Sequence, residues 1–232
     1  TKPAERTAVS TASWSSFLQW VAPWVPGVPD PVLEDAIRTA AIDFCRRSRT
    51  WRVELSPLSV VALTYQYAIA SALPGTVTAA DVVVSDIIRM EFNGLDLPVK
   101  TPDQLDDAWP GWKIAQAYQP SVCFMSDERT LRLVAIPTLD AAAAITGTVA
   151  LKPSATAATI DQTVFEEHHQ AIANGALSKL LLMPGNSWTS REDAVDRRTA
   201  FDKAVWSARN RARKAYTATR AFAARPREYG YG

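Results

Sequence analysis

The 232-residue sequence is short of nearly everything that usually advertises a reaction centre. It has two histidines and two cysteines, and its nine glycines are scattered, forming neither GxGxxG nor GxxxxGK. Without a Gly-rich turn feeding a helix, there is no cradle for a nucleotide phosphate. No GxSxG occurs, so no nucleophile elbow is expected. Cys45 and Cys123 fit no metal spacing and no small disulfide framework, and read as two free buried thiols kept reduced in a cytoplasm. No apolar run approaches the ~20 residues needed to cross a bilayer, and residues 1–12 lack the apolar stretch of a signal peptide. Overall charge of one sign is lacking too: the formal net charge is +1, which by itself directs the chain to neither nucleic acid nor membrane.

What is present is an ordinary globular composition, 47% hydrophobic and 21% charged. Residues 1–12 read as a flexible arm. Ser13 then stands before a helical stripe of Trp14, Phe17, Leu18 and Val21, ended by Pro23. After the apolar turn 23–29, Asp30 as N-cap and Pro31 as first helical residue open a second helix. Its apolar face runs from Val32 to Cys45, and it is expected to end near Arg49, with Arg46, Arg47 and Arg49 complementing the helix dipole.

At Trp51 the period drops to two, with Trp51, Val53 and Leu55 alternating with polar residues. Further strands are expected at 59–69, 82–92, 95–100, 121–125, 131–136 and 146–152, with a hairpin across Asn93-Gly94. Residues 102–108 read as a short helix. Helix resumes near Asp161, stops before Pro184-Gly185, and restarts at Ser190 as a long final helix continuing to about Ala224. The fold class is therefore α+β. A helical domain (13–50 plus 160–225) is split by an inserted antiparallel β-sandwich or small barrel (51–152), and 226–232 form a C-terminal arm.

No candidate reaction centre survives inspection. His168 and His169 are adjacent on a helix, so their rings diverge by about 100° and cannot easily share a metal; one buried and one exposed histidine is expected. Asp103, Asp106 and Asp107 read as a solvated helix N-terminus. The eight tryptophans read as core and interface anchors. No catalytic, cofactor-binding or metal residue is assigned, and no cofactor is implied.

Charge is unevenly placed. Residues 191–232 carry a net +6 and residues 1–190 a net −5. Between Arg209 and Arg227 there are seven basic residues and no acid. A like-charged block of this kind calls for a partner, an acidic protein surface or DNA phosphate. The candidate interface residues are Arg209, Arg211, Arg213, Lys214, Tyr216, Arg220, Phe222, Arg225, Arg227, Tyr229 and Tyr231. Docking into a protein neighbour is preferred, because no nucleic-acid-reading module accompanies them. The alternative is a double-stranded DNA-binding module built on the same basic helix.

Two stretches carry a resemblance. Residues 24–29 (Trp24 to Pro29) with 36–52 (Ala36 to Arg52), and residues 171–184 (Ala171 to Pro184) with Trp188 and 201–209, are similar to the N- and C-terminal regions of tailed-phage head–tail connector (adaptor, head-completion) proteins. The resemblance implies a non-enzymatic virion protein assembled in the host cytoplasm. It implies about twelve copies in a ring beneath the portal protein, tail-nozzle or tail-tube proteins below, and double-stranded DNA passing through the lumen without sequence recognition. It further implies that C-terminal segments reach into the portal, and that no membrane is involved. The β-rich middle looks closer to tail-tube-type adaptors than to purely helical ones.

Overall fold

The structure, a computed structural model, describes residues 10–75 and 77–214. Among them are five α-helices and twelve strands, a mixed α+β architecture. The N-terminal segment begins with β1 (Thr11–Ser13) and, past a 3-10 turn, the short α1 (Leu18–Val21); α2 (Asp30–Ser48) follows. The middle holds β2 (Arg52–Glu54), β3 (Leu58–Val60), β4 (Gln66–Ala68), β5 (Val82–Phe92), β6 (Leu95–Asp96) and α3 (Pro102–Ala108). Then come β7 (Gln116–Ala117), β8 (Val122–Met125), β9 (Thr130–Val134), β10 (Ile136–Pro137), β11 (Ala141–Pro153) and β12 (Thr159–Asp161). The chain closes with α4 (Gln162–Leu180) and α5 (Arg191–Arg213).

β5 and β11 form the antiparallel spine of a five-stranded sheet ordered β2-β11-β5-β6, with β3 also on β11. β4-β9-β8 make a second antiparallel sheet. Gly147 of β11 sits opposite Met90 of β5, where an added Cβ would collide with the Arg89 carbonyl and the Met90 side chain. Only glycine lets the two strands approach there. β10 and β7 pair in parallel.

Several expected boundaries move, each for a local reason. The single strand expected over 59–69 is two, because Leu63 adopts a left-handed conformation (φ 61°) and the chain changes sheets, β3 pairing with β11 and β4 with β9. The Ala62 N–H bonded to Asp140 (2.7 Å) and the Leu63 N–H bonded to the Pro137 carbonyl (2.8 Å) hold that corner. The strand expected over 95–100 stops at Asp96, ahead of Pro98, while the one expected over 146–152 extends to Ala141–Pro153. Asp30 is not the cap of α2. Helix begins one residue earlier, with the Pro29 carbonyl accepting from the Val32 N–H at 2.9 Å. Ser13 makes no capping bond and instead bonds the hydroxyls of Ser15 and Ser16. Thr11 and Ala12, read as the end of an arm, lie in β1, which pairs with β12. α5 ends at Arg213; the expected continuation to Ala224 and the C-terminal arm lie outside the described residues.

α2, α4 and α5 pack side by side. α4 is capped by Asp161, which accepts from Thr163 and Val164 N–H groups, and α5 by Ser190, which accepts from Asp193 N–H. One buried apolar cluster runs from the helices (Phe17, Ile37, Phe44, Ile172, Leu177, Phe201) through Trp51 and Leu55 into the sheet (Ile87, Met90, Val149, Leu151). A smaller cluster, Leu105, Trp112, Val122, Phe124 and Val134, underlies α3. Both thiols are fully buried, and burial, the leading cause, pushes Cys45 and Cys123 up to about 12.

An arginine-lined cleft between α2, α5 and β5

The packing of α5 against α2 brings two arginine clusters together that are remote in sequence. The last turn of α2 presents Arg46 and Arg47, and the following segment presents Arg49 and Arg52. The last turns of α5 present Arg209 and Arg213. Between them lie two adjoining cavities of about 500 and 360 Å3 that share Arg49 and Arg209 as a common wall. Trp206 lines the first and is 70% exposed. Ile87 and Ile88 of β5 floor the second. All six basic side chains lining the cleft are arginines.

Three carboxylates hold part of this charge. Arg47 lies 2.7 Å from Asp202 and 3.4 Å from Asp43, tying α2 to α5. Burial opposes charge on Arg47, but the contacts with Asp202 and Asp43 outweigh it and raise its pKa above the ordinary value. Arg198 reaches Asp202 at 3.2 Å and Asp43 at 3.9 Å. Arg49 pairs with Asp86 on β5. Arg49 also closes α2 in a left-handed conformation (φ 54°, ψ 36°), a position where glycine is usual. Arg209 and Arg213 have no acidic partner among the described residues, so the cleft retains cationic capacity.

The sequence-predicted interface residues divide three ways. Arg209 and Arg213 line the cleft. Arg211 faces elsewhere, 3.8 Å from Glu167 on α4, and Lys214 is exposed just past the end of α5. Tyr216, Arg220, Phe222, Arg225, Arg227, Tyr229 and Tyr231 lie outside the described residues. Sequence reasoning missed the contribution of Arg46, Arg47 and Arg49, which it treated as helix-dipole complements, of Arg52, which it read as a polar strand position, and of Trp206. Only the pairing of the two terminal helices joins these residues to Arg209.

The histidines differ from expectation, since neither is exposed. The His168 side chain is 10% exposed, with its ring 4.8 Å from Phe44. His169 stacks 4.4 Å from Trp20, with Nδ1 3.1 Å from the Phe165 carbonyl. Asp106 accepts from the Trp112 indole at 2.7 Å and pairs with Lys113 at 3.6 Å. Among the described residues no group of three or more His, Cys, Asp or Glu side chains is placed to hold a metal. What the cleft offers chemically is guanidinium forks, whose geometry matches carboxylate or phosphate oxygens, beside an indole face.

A family model described as SU10 adaptor protein matches residues 12–226. The chain belongs to this family. It is a phage head–tail adaptor family, so the protein is a structural phage adaptor, a virion component that interacts with other head or tail proteins. The match spans the terminal helices and the whole β-rich middle. No curated protein matches the sequence. No described helix of the adaptor is long and apolar enough to cross a membrane.

Proposed function

We propose that this adaptor forms a ring, of about twelve copies, between the portal protein of the head and the tail-nozzle or tail-tube proteins below, with double-stranded DNA passing through its lumen. The family match over residues 12–226 is the observation that carries the reading. The arginine cleft and the basic and aromatic C-terminal residues Arg209, Arg211, Arg213, Lys214, Tyr216, Arg220, Phe222, Arg225, Arg227, Tyr229 and Tyr231 are its interface with the portal or with neighbouring copies. The terminal helices act as the assembly unit and the β-rich middle as an inserted unit. Exposed tryptophan beside arginine is the composition of interface hot spots, which supports a protein partner. The deciding measurement is the mass of the adaptor alone and mixed with portal protein. A large ring in either sample is expected, and a chain that never binds portal overturns the reading.

The lack of acidic partners for Arg209 and Arg213 also favours a second reading, a duplex-DNA-binding module. It requires affinity that falls steeply with salt and is lost when Arg209, Arg211, Arg213 and Lys214 are neutralised. No binding at low salt removes it.

A further inference from the structure

One face of α5 runs through the cleft. Trp206, Arg209 and Arg213 are spaced by three and four and all are exposed, so they form a stripe about 10 Å long. Arg52 of β2 reaches the same space, its Nε donating to the Arg49 carbonyl at 3.0 Å. Arg52, Arg209 and Arg213 line the 360 Å3 cavity together, and none of the three has an acidic partner among the described residues. Over the whole cleft, six arginines stand against the three carboxylates Asp43, Asp86 and Asp202, a surplus of three positive charges. The walls are not only charged. Ile87 and Ile88 floor the cavity with the unpaired guanidiniums, and Val205 and Trp206 line the adjoining 500 Å3 cavity.

The occupant must match both features, with anionic groups for the surplus charge and apolar groups for the isoleucines and the indole. A strand-like peptide does so. Its side chains alternate, so carboxylates on one side leave apolar side chains for the other, and about three extended residues span the α5 stripe. Arginine clusters are a recurring receptor for acidic motifs. A sugar–phosphate backbone supplies the anions but nothing apolar, so duplex DNA leaves Ile87, Ile88 and Trp206 uncovered. This chain's own segments fit less well. Residues 1–9 and 215–232 each carry a net positive charge. The first turns of α5 mix Glu192, Asp193 and Asp196 with Arg191, Arg197 and Arg198. α3 sets Asp103, Asp106 and Asp107 between Lys100 and Lys113, and Lys113 already holds Asp106 at 3.6 Å.

We propose that the cleft is a receptor for an acidic, extended segment of another virion protein, whose carboxylates pair with Arg52, Arg209 and Arg213 and whose apolar side chains cover Ile88 and Trp206. This deepens the interface reading and rests on it: the family interacts with other head or tail proteins, and the cleft specifies the chemistry of what one such partner inserts. The Arg47–Asp202 and Arg49–Asp86 pairs hold the walls together before the partner arrives. The forks of the unpaired arginines then fix the register of the segment, because each matches a carboxylate in two places at once.

Two experiments on the full-length chain test this. In the first, a short labelled peptide alternating Glu and Leu is titrated into the adaptor at about 50 mM salt, beside its Gln–Leu counterpart and a duplex oligonucleotide. Only the Glu–Leu peptide is expected to bind, and Arg52→Gln with Arg213→Gln should weaken it at least about tenfold. Failure of the Glu–Leu peptide to bind, or equal binding of the Gln–Leu peptide, overturns the proposal. Duplex DNA that displaces the peptide and loses affinity in the same variant assigns the cleft to phosphate and does the same. In the second, Trp206→Cys carries a maleimide-linked benzophenone in assembled virions, where Cys45 and Cys123 are fully buried and give little background. Illumination is expected to link an acidic stretch of a different virion protein, identified by its mass. A link to a second adaptor copy or to DNA, or no link in virions that contain the adaptor, overturns the proposal and leaves the ring intact. Wild-type virions that lack the chain overturn the interface reading itself.

Discussion

Gly175 shows how tightly the helices meet. A Cβ at this α4 position would lie 2.7 Å from the Phe201 ring of α5 and 3.1 Å from the Ala40 side chain of α2. Alanine is the better helix former by about 1 kcal/mol, yet overpacking costs about 1–3 kcal/mol. Gly175→Ala is therefore expected to lower the thermal midpoint, and Phe201→Leu in the same chain to recover part of the loss, because touching sites are not additive. An unchanged midpoint would show that the α4–α5 contact is looser than described. His168 supplies a pH effect. Burial, chiefly, depresses its pKa below 6.5; Arg211 adds to this and Glu167 opposes it. The folded chain thus holds fewer protons than the unfolded chain just below pH 6.5. The stability tied to a neutral His168 is present above that pH and declines as pH falls through 6.5 towards the depressed folded value. Urea unfolding of the wild type and of His168→Gln at pH 7.5 and pH 5.5 checks this, and the variant should lose less stability on acidification.

The elements with strong local signals were readable in sequence. α2, α4, the start of α5, the Asn93-Gly94 hairpin and the short helix at Pro102–Ala108 stand close to where periodicity and turn chemistry put them, whereas the helical stripe read from Trp14 is a 3-10 turn before the one-turn α1. The corner at Leu63 was not readable, because it depends on Asp140 and Pro137, which are remote in sequence. The cleft was half readable. Arg209 and Arg213 stood out as part of a like-charged block, whereas Arg46, Arg47 and Arg49 looked like an ordinary helix end and Arg52 like a polar strand position, and only tertiary pairing shows otherwise. The end of α2 carries a testable consequence. Arg49→Gly relieves a left-handed strain of about 1 kcal/mol and removes a half-exposed pair with Asp86 worth about 0.2–1 kcal/mol. Stability should change by less than about 1 kcal/mol while binding at the cleft weakens. A large fall in the unfolding midpoint would show that Arg49 is there for the fold, not for the cleft.

For the whole molecule, the uneven charge makes assembly sensitive to salt. Interfaces built on Arg209 and Arg213 should weaken between ~0.1 M salt, where screening acts over ~10 Å, and ~1 M, where it acts over ~3 Å. Sedimentation at the two concentrations reads this out, and assembly indifferent to salt would point to an apolar interface instead. The buried thiols have a different consequence. Cys45 and Cys123 sit in the interior with their thiolate forms strongly disfavoured. A virion part is built inside a cell and then spends its existence outside, exposed to air. In the folded chain these two sulfurs offer little for oxidants to attack, so neither thiol is a ready site of oxidative damage while the particle waits for the next host.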